Sequence, residues 1–482
     1  MKSIKFGTDG WRDIIADNFT FFNVRIVIQG LAEYLLKHYG ETVREKGVVM
    51  GYDTRFLSKD FALEGALVLA KNNIPVYFTQ RETPTPAVAF TVKKLGLPGG
   101  ISITASHNSP KYNGIKFIPD YAGPATDDIT GEIEKIINVV QIREDIEKLD
   151  FNEAREKGLL NYIEPSREYI ECLKGKIDIE TMKKKKLKII IDNMYGPGKG
   201  YIENTLEDID AEIIALHTEH NPLFGGLMPE PIPENLQEIQ FMVIKEKADL
   251  GLVTDGDADR FGLINRNGRF IPPNDALVLL LYHLYKHKNL KGNVVRSVAT
   301  THLIDKIATS FGFNVIETPV GFKYIAEVMR KDDTILMGGE ESGGFTIRGH
   351  ILEKDGIFAD LLFVELYSYL EGDFLSLLEE IKNKFGYIFN KRFNIYLPDI
   401  EKEIAMKTLK GEKTPNFRVS QIEKREEIKN AIRFTLRDGS WLLIRPSGTE
   451  DTLRLYIEAD SDAKIGSLYE DINNFLKSLK GE

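Results

Sequence analysis

Three aspartates at alternate positions, Asp255, Asp257 and Asp259, follow directly after a largely apolar segment at residues 248–253. A short apolar run of this kind is typical of a buried β-strand, so the carboxylates are expected at a strand end. Carboxylates this close together repel one another unless a cation lies between them, and ligation by oxygen alone favours Mg²⁺, Mn²⁺ or Ca²⁺ over zinc. The spacing therefore predicts a site for a hard divalent cation.

Two common motifs with related chemistry do not fit these segments. An EF-hand loop starting at Asp255 needs glycine at its sixth position and glutamate at its twelfth, where the chain has Arg260 and Arg266. A Walker A loop around Gly198 needs glycine at position 193 and serine or threonine at position 200, where the chain has asparagine and glycine. The sequence thus argues against a calcium EF-hand and against a P-loop nucleotide site here.

A serine follows another predicted strand, at residues 100–104. Ser106 is followed by His107, and Lys116 lies beyond an Asn-Gly pair at positions 113–114 that we interpret as a turn returning the chain. Ser106 is a candidate nucleophile because ligand sites of open α/β sheets lie at the carboxyl ends of strands. No Gly-x-Ser-x-Gly elbow surrounds it, and a structural serine fits the pattern as well.

Two glycine-containing loops also follow predicted strands. The first, at residues 338–344, offers the acceptors and donors of Glu340 and Ser342, which suit a polyhydroxylated ligand, although a flexible turn has the same composition. The second, at residues 445–450 (Arg-Pro-Ser-Gly-Thr-Glu), combines a guanidinium fork, two hydroxyl groups and a glycine that lets backbone N–H groups approach an anion. The second loop predicts a phosphate site, with a tight turn as the alternative.

The composition limits the kinds of partner. With 482 residues, of which 42% are hydrophobic and 28% charged, the chain is long enough for several folded domains. The formal net charge of -10 argues against a general nucleic-acid binder, which needs clustered Lys and Arg. Any anionic ligand must therefore bind in a local basic pocket.

Cysteine usage and hydropathy indicate the compartment. The single cysteine, Cys172, cannot form an internal disulfide, and the sequence lacks the Cys and His spacing of zinc sites. The first residues lack the apolar core of a signal peptide, and the most apolar predicted helices are interrupted by charges such as Asp360 and Glu365. We therefore expect a cytoplasmic protein with no membrane segment.

The elements that position these loops alternate between strands and helices. In the first part of the chain, strands are predicted at residues 48–52, 74–78 and 100–104, with amphipathic helical segments between them. The same rhythm returns after residue 187 and again after residue 274. This alternation predicts mainly parallel sheets with helices on both faces, so we expect three consecutive doubly wound α/β domains.

The last part of the chain has a different pattern. After a long helical stretch predicted at residues 355–384, strands are expected at 389–397, 440–445 and 453–458, followed by a helix at 462–479. This order indicates a smaller α+β domain with an antiparallel sheet. The predicted domains are residues 1–155, 156–260, 261–375 and 376–482.

The four loops, in this order, resemble those of the α-D-phosphohexomutase superfamily, which contains phosphoglucomutases and phosphomannomutases. An opening segment at residues 6–12 (Phe-Gly-Thr-Asp-Gly-Trp-Arg) is similar to the N-terminal signature of that family. The resemblance covers essentially the whole chain and implies an active site in the central cleft. It also implies a sugar phosphate as the small-molecule partner of a monomer or homodimer.

The resemblance implies a role for each candidate residue. Ser106 would be held as phosphoserine, and its phosphate would complete the coordination of Mg²⁺ by Asp255, Asp257 and Asp259. Arg12 and Arg260 would stabilise charge on the phosphoryl group, and either Lys116 or His107 would take the proton from the attacking hydroxyl. The residues implied to bind the sugar or its phosphate are Arg260, Glu340, Ser342, Arg445, Ser447, Gly448, Thr449 and Arg454.

The implied reaction transfers the phosphoryl group of Ser106 to a hexose phosphate, giving a hexose 1,6-bisphosphate, and then returns the other phosphate to the serine. The Glu-Glu-Ser loop resembles that of glucose-active members and lacks the histidine of several mannose- and glucosamine-active relatives. Glucose phosphate is therefore the expected substrate, with mannose phosphate as a second one. A phosphomannomutase or phosphoglucosamine mutase is the alternative, and a metal-dependent sugar phosphatase or a silent binding protein is a more remote one. Motion of the last domain is expected around residues 372–387.

Overall fold

The computed structural model describes residues 4–7, 10–143, 145–411, 414–447 and 451–479. These residues form four units in chain order, each built on its own sheet, of six, five, four and five strands. Helices pack on the first three sheets, and the fourth sheet is antiparallel throughout. The prediction of three α/β domains followed by a smaller α+β domain is confirmed.

The first unit has the strand order β1-β5-β4-β2-β3-β6. Its strands are β1 (Trp11–Ile14), β2 (Val48–Tyr52), β3 (Val76–Thr79), β4 (Gly99–Ile103), β5 (Tyr112–Pro119) and β6 (Leu160–Ile163). Its helices are α1 (Phe21–Tyr39), α2 (Glu41–Lys46), α3 (Ser58–Lys71), α4 (Thr85–Leu95), α5 (Asp127–Val140) and α6 (Phe151–Glu156). Val48 and Met50 face one hydrophobic core and Val49 faces another, so apolar residues cover both faces of this sheet.

The serine loop, defined as residues 104–111, connects β4 to the antiparallel β5. Asn113 and Gly114 lie inside β5 and pair with β1, so the turn predicted at these two residues is wrong. Asn113 Nδ2 donates to Ser58 Oγ at 2.9 Å. At Gly114 an added Cβ would lie 2.5 Å from the carbonyl oxygen of Thr104. Both residues are therefore explained by contacts inside a strand, not by turn formation.

The second unit has the strand order β11-β10-β9-β7-β8. Its strands are β7 (Leu187–Asp192), β8 (Ala211–Leu216), β9 (Leu250–Thr254), β10 (Phe261–Asn265) and β11 (Phe270–Ile271). Its helices are α7 (Ser166–Lys174), α8 (Ile179–Met182), α9 (Tyr201–Thr205) and α10 (Gln237–Lys245), with 3₁₀ turns at Phe224–Gly226 and Pro233–Asn235. The metal loop, defined as residues 255–260, joins β9 to β10 in an antiparallel hairpin.

His217 directly follows β8, and its Nδ1 lies 2.8 Å from Asp192 Oδ1 at the end of β7. This hydrogen bond raises the pKa of His217 above its ordinary value, against the opposing effect of partial burial. The protonated ring therefore stabilises the fold below the ordinary pKa of about 6.5, and the contribution is lost as pH rises through the raised value. We expect the melting temperature of His217→Gln to fall below that of the wild type at acidic pH, with the gap closing toward alkaline pH in calorimetry. A gap between the two melting temperatures that is constant with pH would contradict the assignment.

The third unit has the strand order β13-β12-β14-β15. Its strands are β12 (Asn293–Ser297), β13 (Val315–Thr318), β14 (Ile335–Glu340) and β15 (Gly344–Ile347). Its helices are α11 (Pro273–Lys286), α12 (Leu303–Ser310), α13 (Phe322–Lys331), α14 (Gly356–Tyr369) and α15 (Phe374–Phe385). Both β12 and β14 end at the cleft described below, as parallel neighbours.

The helical stretch predicted at residues 355–384 consists of two helices, α14 and α15. The chain becomes extended at Leu370, and Asp373 caps α15 by accepting a hydrogen bond from the Ser376 N–H at 2.9 Å. The sequence pattern does not show this break because α14 is buried on nearly all sides, its acidic residues Asp360 and Glu365 included, where it packs between the second and third units. Among the described helices, none has both the length and the apolar character needed to cross a bilayer.

The fourth unit has the strand order β16-β20-β19-β18-β17. Its strands are β16 (Phe389–Tyr396), β17 (Ile422–Ile428), β18 (Ala431–Leu436), β19 (Trp441–Pro446) and β20 (Thr452–Ala459), and its helices are α16 (Asp399–Lys410) and α17 (Asp462–Ser478). Three residues connect it to α15, beginning with Gly386 at φ 101°. Rotation of this unit about that connection stays a prediction.

Three predicted domain boundaries differ from the observed sheets. The cut at residue 155 precedes β6, which pairs with β3 of the first sheet. The cut at residue 260 precedes β10 and β11, which extend the second sheet. The cut at residue 375 falls inside α15, which packs on α11 and α12 of the third unit. At residue 260, the strand that follows the cut is a hairpin strand that returns without an intervening helix, so the alternation of strands and helices assigned it to the following domain.

The third and fourth units share a buried contact surface. An apolar cluster joins Val298 and Ala299 to Trp441 and Leu443. Glu458 of β20 accepts hydrogen bonds from Trp441 Nε1 at 2.8 Å and from the backbone N–H of His302 at 3.1 Å. These contacts hold β19 and β20 beside the carboxyl end of β12 in the third sheet.

Candidate active site

The four predicted loops converge on a cleft of about 500 Å³ lined by all four units. The predicted residues that line it are Arg12, His107, Arg260, Glu340, Ser342, Arg445, Ser447 and Arg454. Ser106, Lys116 and the three aspartates lie beside the cleft and are buried, with at most 2% of each residue exposed. Gly448 and Thr449 lie outside the described residues.

The metal loop holds its three carboxylates close together. Asp255 Oδ1 accepts hydrogen bonds from the backbone N–H groups of Asp259 at 3.0 Å and Arg260 at 3.1 Å, which closes the loop on itself. One ligand oxygen from each of Asp255, Asp257 and Asp259 lies within 4.8 Å of the other two. Asp259 Oδ1 is buried and accepts no hydrogen bond from the described part of the chain. An all-oxygen set with a buried, unused lone pair fits a hard divalent cation.

The charges around the triad also favour a cation. Lys116 Nζ lies 2.8 Å from Asp257 Oδ2 and 2.7 Å from Asp259 Oδ2, so one ammonium faces two carboxylates. Burial, followed by the charges of Asp257 and Asp259, raises the pKa of Asp255 well above its ordinary value. The raised pKa of Asp255 shows that burial and the neighbouring carboxylates disfavour its ionised form even with Lys116 nearby, and a bound divalent cation would offset that effect.

The serine loop brings the candidate nucleophile to the same place. Ser106 has a left-handed backbone with φ 52°, and its N–H donates to Thr104 Oγ1 at 2.8 Å. This conformation directs Ser106 Oγ to Asp255 Oδ2, to which it donates at 2.9 Å. A non-glycine residue at positive φ is uncommon, and such strain is found at functional sites. The hydroxyl of the first unit therefore lies against the metal loop of the second.

The two candidate bases differ in their surroundings. His107 Nδ1 lies 3.3 Å from Ser106 Oγ. Burial lowers the pKa of His107 well below its ordinary value, and the charges of Arg260 and Arg12 act in the same direction. His107 is therefore a neutral imidazole that lines the cleft, whereas Lys116 is an ammonium held between two carboxylates.

The sugar loop, defined as residues 339–344, connects β14 to β15. Ser342 Oγ donates to Glu340 Oε1 at 2.8 Å, and both side chains line the cleft. Gly343 has φ 90°, a conformation that favours glycine. Glu341 differs from Glu340 because its Oε2 accepts from Ser297 Oγ at 2.7 Å. The loop thus presents one carboxylate and one hydroxyl to the cleft.

Two arginines mark the predicted phosphate site. Arg445 of β19 and Arg454 of β20 are direct cross-strand partners, and both line the cleft. Like charges directly opposite each other destabilise a sheet, so an anion between them would stabilise it. Ser447 Oγ is buried beside them and has no hydrogen-bond partner among the described residues. These groups match a dianionic phosphate.

The cleft is basic although the whole chain has a net charge of -10. Among the described residues, its lining contains twice as many basic residues as acidic ones. The basic residues are Lys5, Arg12, Arg260, Lys323, Lys354, Arg392, Arg445 and Arg454, and the acidic ones are Asp13, Glu230, Glu340 and Glu341. The local basic pocket required for an anionic ligand is therefore present.

Several cleft residues escaped the sequence predictions. Lys354 Nζ lies 3.3 Å from Asp259 Oδ2 and 2.7 Å from Glu353 Oε1, beside the metal loop. Glu230 lies 3.6 Å from Arg260 and 3.8 Å from Arg392, between the second and fourth units. The only signal available for Lys354 was its place just before the start of α14, which is common for a structural lysine. The chain folding alone brings these groups to the site.

The chain matches models of the phosphoglucomutase/phosphomannomutase family in four consecutive parts. The three alpha/beta/alpha domains match residues 3–143, 167–268 and 272–385, and the C-terminal domain matches residues 403–475. These ranges follow the four units of the structure.

Known proteins resemble the chain over nearly its whole length. A phosphoglucomutase/phosphomannomutase from Thermococcus kodakarensis is 31% identical and covers 99% of both chains. A probable phosphoglucosamine mutase from Methanothermobacter thermautotrophicus is 30% identical over 99% of this chain and 98% of its own. The crystal structure of a putative phosphomannomutase from Thermus thermophilus is 29% identical, with a TM-score of 0.85 over 98% of this chain and 99% of its own. Together with the four domain matches, these relatives show that the chain belongs to the phosphoglucomutase/phosphomannomutase family of α-D-phosphohexomutases, which are isomerases.

Proposed function

We propose that this phosphohexomutase interconverts glucose 1-phosphate and glucose 6-phosphate through a phosphorylated Ser106 and a bound glucose 1,6-bisphosphate. The observation that carries this proposal is the position of Ser106 Oγ, 2.9 Å from Asp255 Oδ2 beside a basic cleft. That cleft has separate places for ring hydroxyls and for an anion. A nucleophile, a cation site and an anion anchor are the parts that phosphoryl transfer between protein and sugar requires.

In the first transfer, the free hydroxyl of the hexose phosphate attacks the phosphorus carried by Ser106. The bond between phosphorus and Ser106 Oγ breaks, a bond to the sugar oxygen forms, and the hydroxyl proton leaves to a base. Mg²⁺ held by Asp255, Asp257 and Asp259 would supply Lewis-acid stabilisation of the charge on the phosphoryl oxygens. Arg12 lies in the same cleft and adds positive charge there.

We assign to His107 the role of the base that accepts the proton of the attacking sugar hydroxyl. Its imidazole is neutral and lies in the cleft lining, so it can accept a proton from a sugar hydroxyl. Lys116 Nζ is already bound between Asp257 and Asp259, and Lys116 is not among the residues that line the cleft. Lys116 therefore acts electrostatically, by stabilising the carboxylates around the phosphoryl group.

The second transfer requires the bisphosphate to turn over in the cleft. After it turns, the other phosphate faces Ser106, and Ser106 Oγ recovers a phosphoryl group while the product hydroxyl regains its proton. Either orientation places a phosphate on the anchor formed by Arg445, Ser447 and Arg454, with ring hydroxyls at the sugar loop. One anchor serves both half-reactions because the two ends of the bisphosphate carry the same group.

The identity of the hexose is tested by a substrate panel. We expect kcat/KM to be highest for glucose 1-phosphate with Mg²⁺ and a trace of glucose 1,6-bisphosphate, and lower for the mannose, glucosamine and N-acetylglucosamine phosphates. A preference for mannose or glucosamine phosphate would make the protein a phosphomannomutase or a phosphoglucosamine mutase, the names that relatives also carry. Inorganic phosphate as the main product would instead support a phosphatase.

The phosphate anchor gives a separate prediction. Arg454→Met is expected to raise KM for glucose 1-phosphate by about 10- to 100-fold, the loss of one or two charge-assisted hydrogen bonds. It should not lower the melting temperature, because it removes the like-charge contact with Arg445. Steady-state kinetics and calorimetry check both results, with the exposed Arg437→Met as the control in the same unit. An unchanged KM would place the phosphate elsewhere.

A further inference from the structure

Arg55 lies in the loop between β2 and α3, and none of the sequence motifs includes it. Its side chain is wholly buried. Nη2 donates to the carbonyl oxygens of Ser106 at 2.5 Å and Asn108 at 2.6 Å, and Nη1 donates to those of Ser109 at 2.8 Å and Tyr112 at 2.9 Å. A guanidinium has five N–H groups, so Arg55 uses most of them on four carbonyls of one segment.

The guanidinium is itself held from two units. Its Nε lies 3.1 Å from Asp53 Oδ2 in the first unit, and its Cζ lies 4.9 Å from the ring centroid of Phe224 in the second. The neighbouring Thr54 Oγ1 donates to the carbonyl oxygen of Tyr195, also in the second unit, at 2.8 Å. Arg55 therefore sits where the first and second units meet, in a charge-paired and aromatic environment.

The carbonyl of Ser106 is the point where the two catalytic loops touch. An added Cβ at Gly256 of the metal loop would lie 2.4 Å from this oxygen, so only glycine allows the backbones to come this close. Ser106 also has the left-handed φ of 52° that directs its hydroxyl to Asp255. A shift of the Ser106 carbonyl would therefore change the distance between the nucleophile and the metal ligands.

We propose that Arg55 is the positioning residue that holds the serine loop against the metal loop, so that the group on Ser106 Oγ is in line for transfer. This inference rests on the proposed function, in which Ser106 carries the phosphoryl group. Arg55 contacts no residue of the sugar loop or of the phosphate anchor in the described structure. Its contribution belongs to the chemical step and not to the capture of the hexose phosphate.

The test is Arg55→Lys. Lysine keeps the positive charge but has one nitrogen and no planar fork, so it cannot serve four carbonyls. We expect kcat to fall by about 100-fold, the scale of a displacement near 1 Å at a reacting group. KM should stay within about threefold, because the binding groups on the third and fourth units are untouched. Hydrogen exchange at the amides of residues 104–112 should become faster.

The matched control is Arg81→Lys. Arg81 also pairs with one carboxylate, Glu164 at 3.1 Å, and lies over one ring of the second unit, Tyr201 at 5.4 Å, but it binds no carbonyl of the serine loop. This variant should lose some thermal stability and keep kcat and the exchange rates of residues 104–112. Should Arg55→Lys not fold, Arg55→Gln, with two donors and no charge, replaces it.

The outcomes separate this proposal from the proposed function. A kcat within about threefold of wild type, or unchanged exchange in the serine loop, overturns the role of Arg55. Equal losses of kcat and of folded protein would also overturn it, because they indicate a merely structural residue. If the wild type shows no mutase activity, the proposed function fails, and the exchange measurement still decides whether Arg55 fixes the loop.

Discussion

Replacement of Ser106 by alanine is expected to lower the turnover of glucose 1-phosphate by at least about 10⁴-fold, because no other group can take over as the carrier of the phosphoryl group. The fold should remain, since the substitution deletes one hydroxyl whose hydrogen bond to Asp255 contributes only about 1 kcal/mol. A dehydrogenase-coupled assay measures turnover, and calorimetry measures the fold. Intact-mass analysis should find one phosphate on the wild type after incubation with glucose 1,6-bisphosphate and none on the variant.

Ser109→Ala is the matched control within the serine loop. The Ser109 hydroxyl makes one long contact, accepting from the Lys111 N–H at 3.5 Å, so its removal should leave both kcat and phosphorylation near those of the wild type. Activity of Ser106→Ala within about tenfold of the wild type would exclude a phosphoserine intermediate. A phosphate found on Ser106→Ala would show that another residue is modified.

Residues at strand ends were predictable, because two independent regularities agree on them. An apolar run marks the strand, and open α/β sheets place ligands where such strands end. Ser106, Asp255 and Glu340 each follow or end such a strand, and the structure brings all three to one cleft or its wall. Their types and their positions after apolar runs were therefore sufficient to predict that these three residues lie at one site.

Residues whose role depends on tertiary contacts between distant connections were not predictable. Arg55 and Lys354 lie on connections that carry no motif, and each acts on a loop more than 50 residues away in the chain. Arg55 binds backbone carbonyls of another connection in its own unit, and Lys354 lies beside a carboxylate of another unit, so both sets of partners meet only after the chain has folded. The pattern of apolar residues along the sequence indicates the periodicity within one helix or strand, so it does not predict such contacts.

The errors in the fold have the same origin. Asn113 and Gly114 have the composition of a turn, but a tertiary contact to Ser58 and the close approach of Thr104 place them in a strand. The break between α14 and α15 was hidden because burial on all sides removes the amphipathic period that would mark a helix end. In both cases tertiary contacts outweighed the local preference.

Asp255→Asn is expected to reduce activity without reducing the stability of the metal-free protein, because the carboxylates of the metal-free triad repel one another. Burial and the charges of Asp257 and Asp259 raise the pKa of Asp255, so its ionised form costs stability at neutral pH. Asparagine keeps an oxygen for the N–H groups of Asp259 and Arg260 and removes the charge. We expect the metal-free variant to melt no lower than metal-free wild type, while the rise in melting temperature on adding Mg²⁺ disappears.

The activity of Asp255→Asn should fall by about 10³-fold, the several kcal/mol that a bound cation contributes to transferring a phosphoryl group. Chelation of the wild type should give a comparable loss that Mg²⁺ restores.

Asp249→Asn, just before β9, is the control. Asp249 accepts a hydrogen bond from the Lys188 N–H at 2.9 Å, outside the metal loop, so this substitution should leave the Mg²⁺ response intact. If Mg²⁺ raises the melting temperature of Asp255→Asn as much as that of the wild type, the cation binds elsewhere, and the proximity of Ser106 to Asp255 no longer explains catalysis. If the metal-free variant instead melts at a lower temperature than the metal-free wild type, the hydrogen bonds of Asp255 stabilise the fold more than its repulsion from Asp257 and Asp259 destabilises it. Asp255 would then have mainly a structural role.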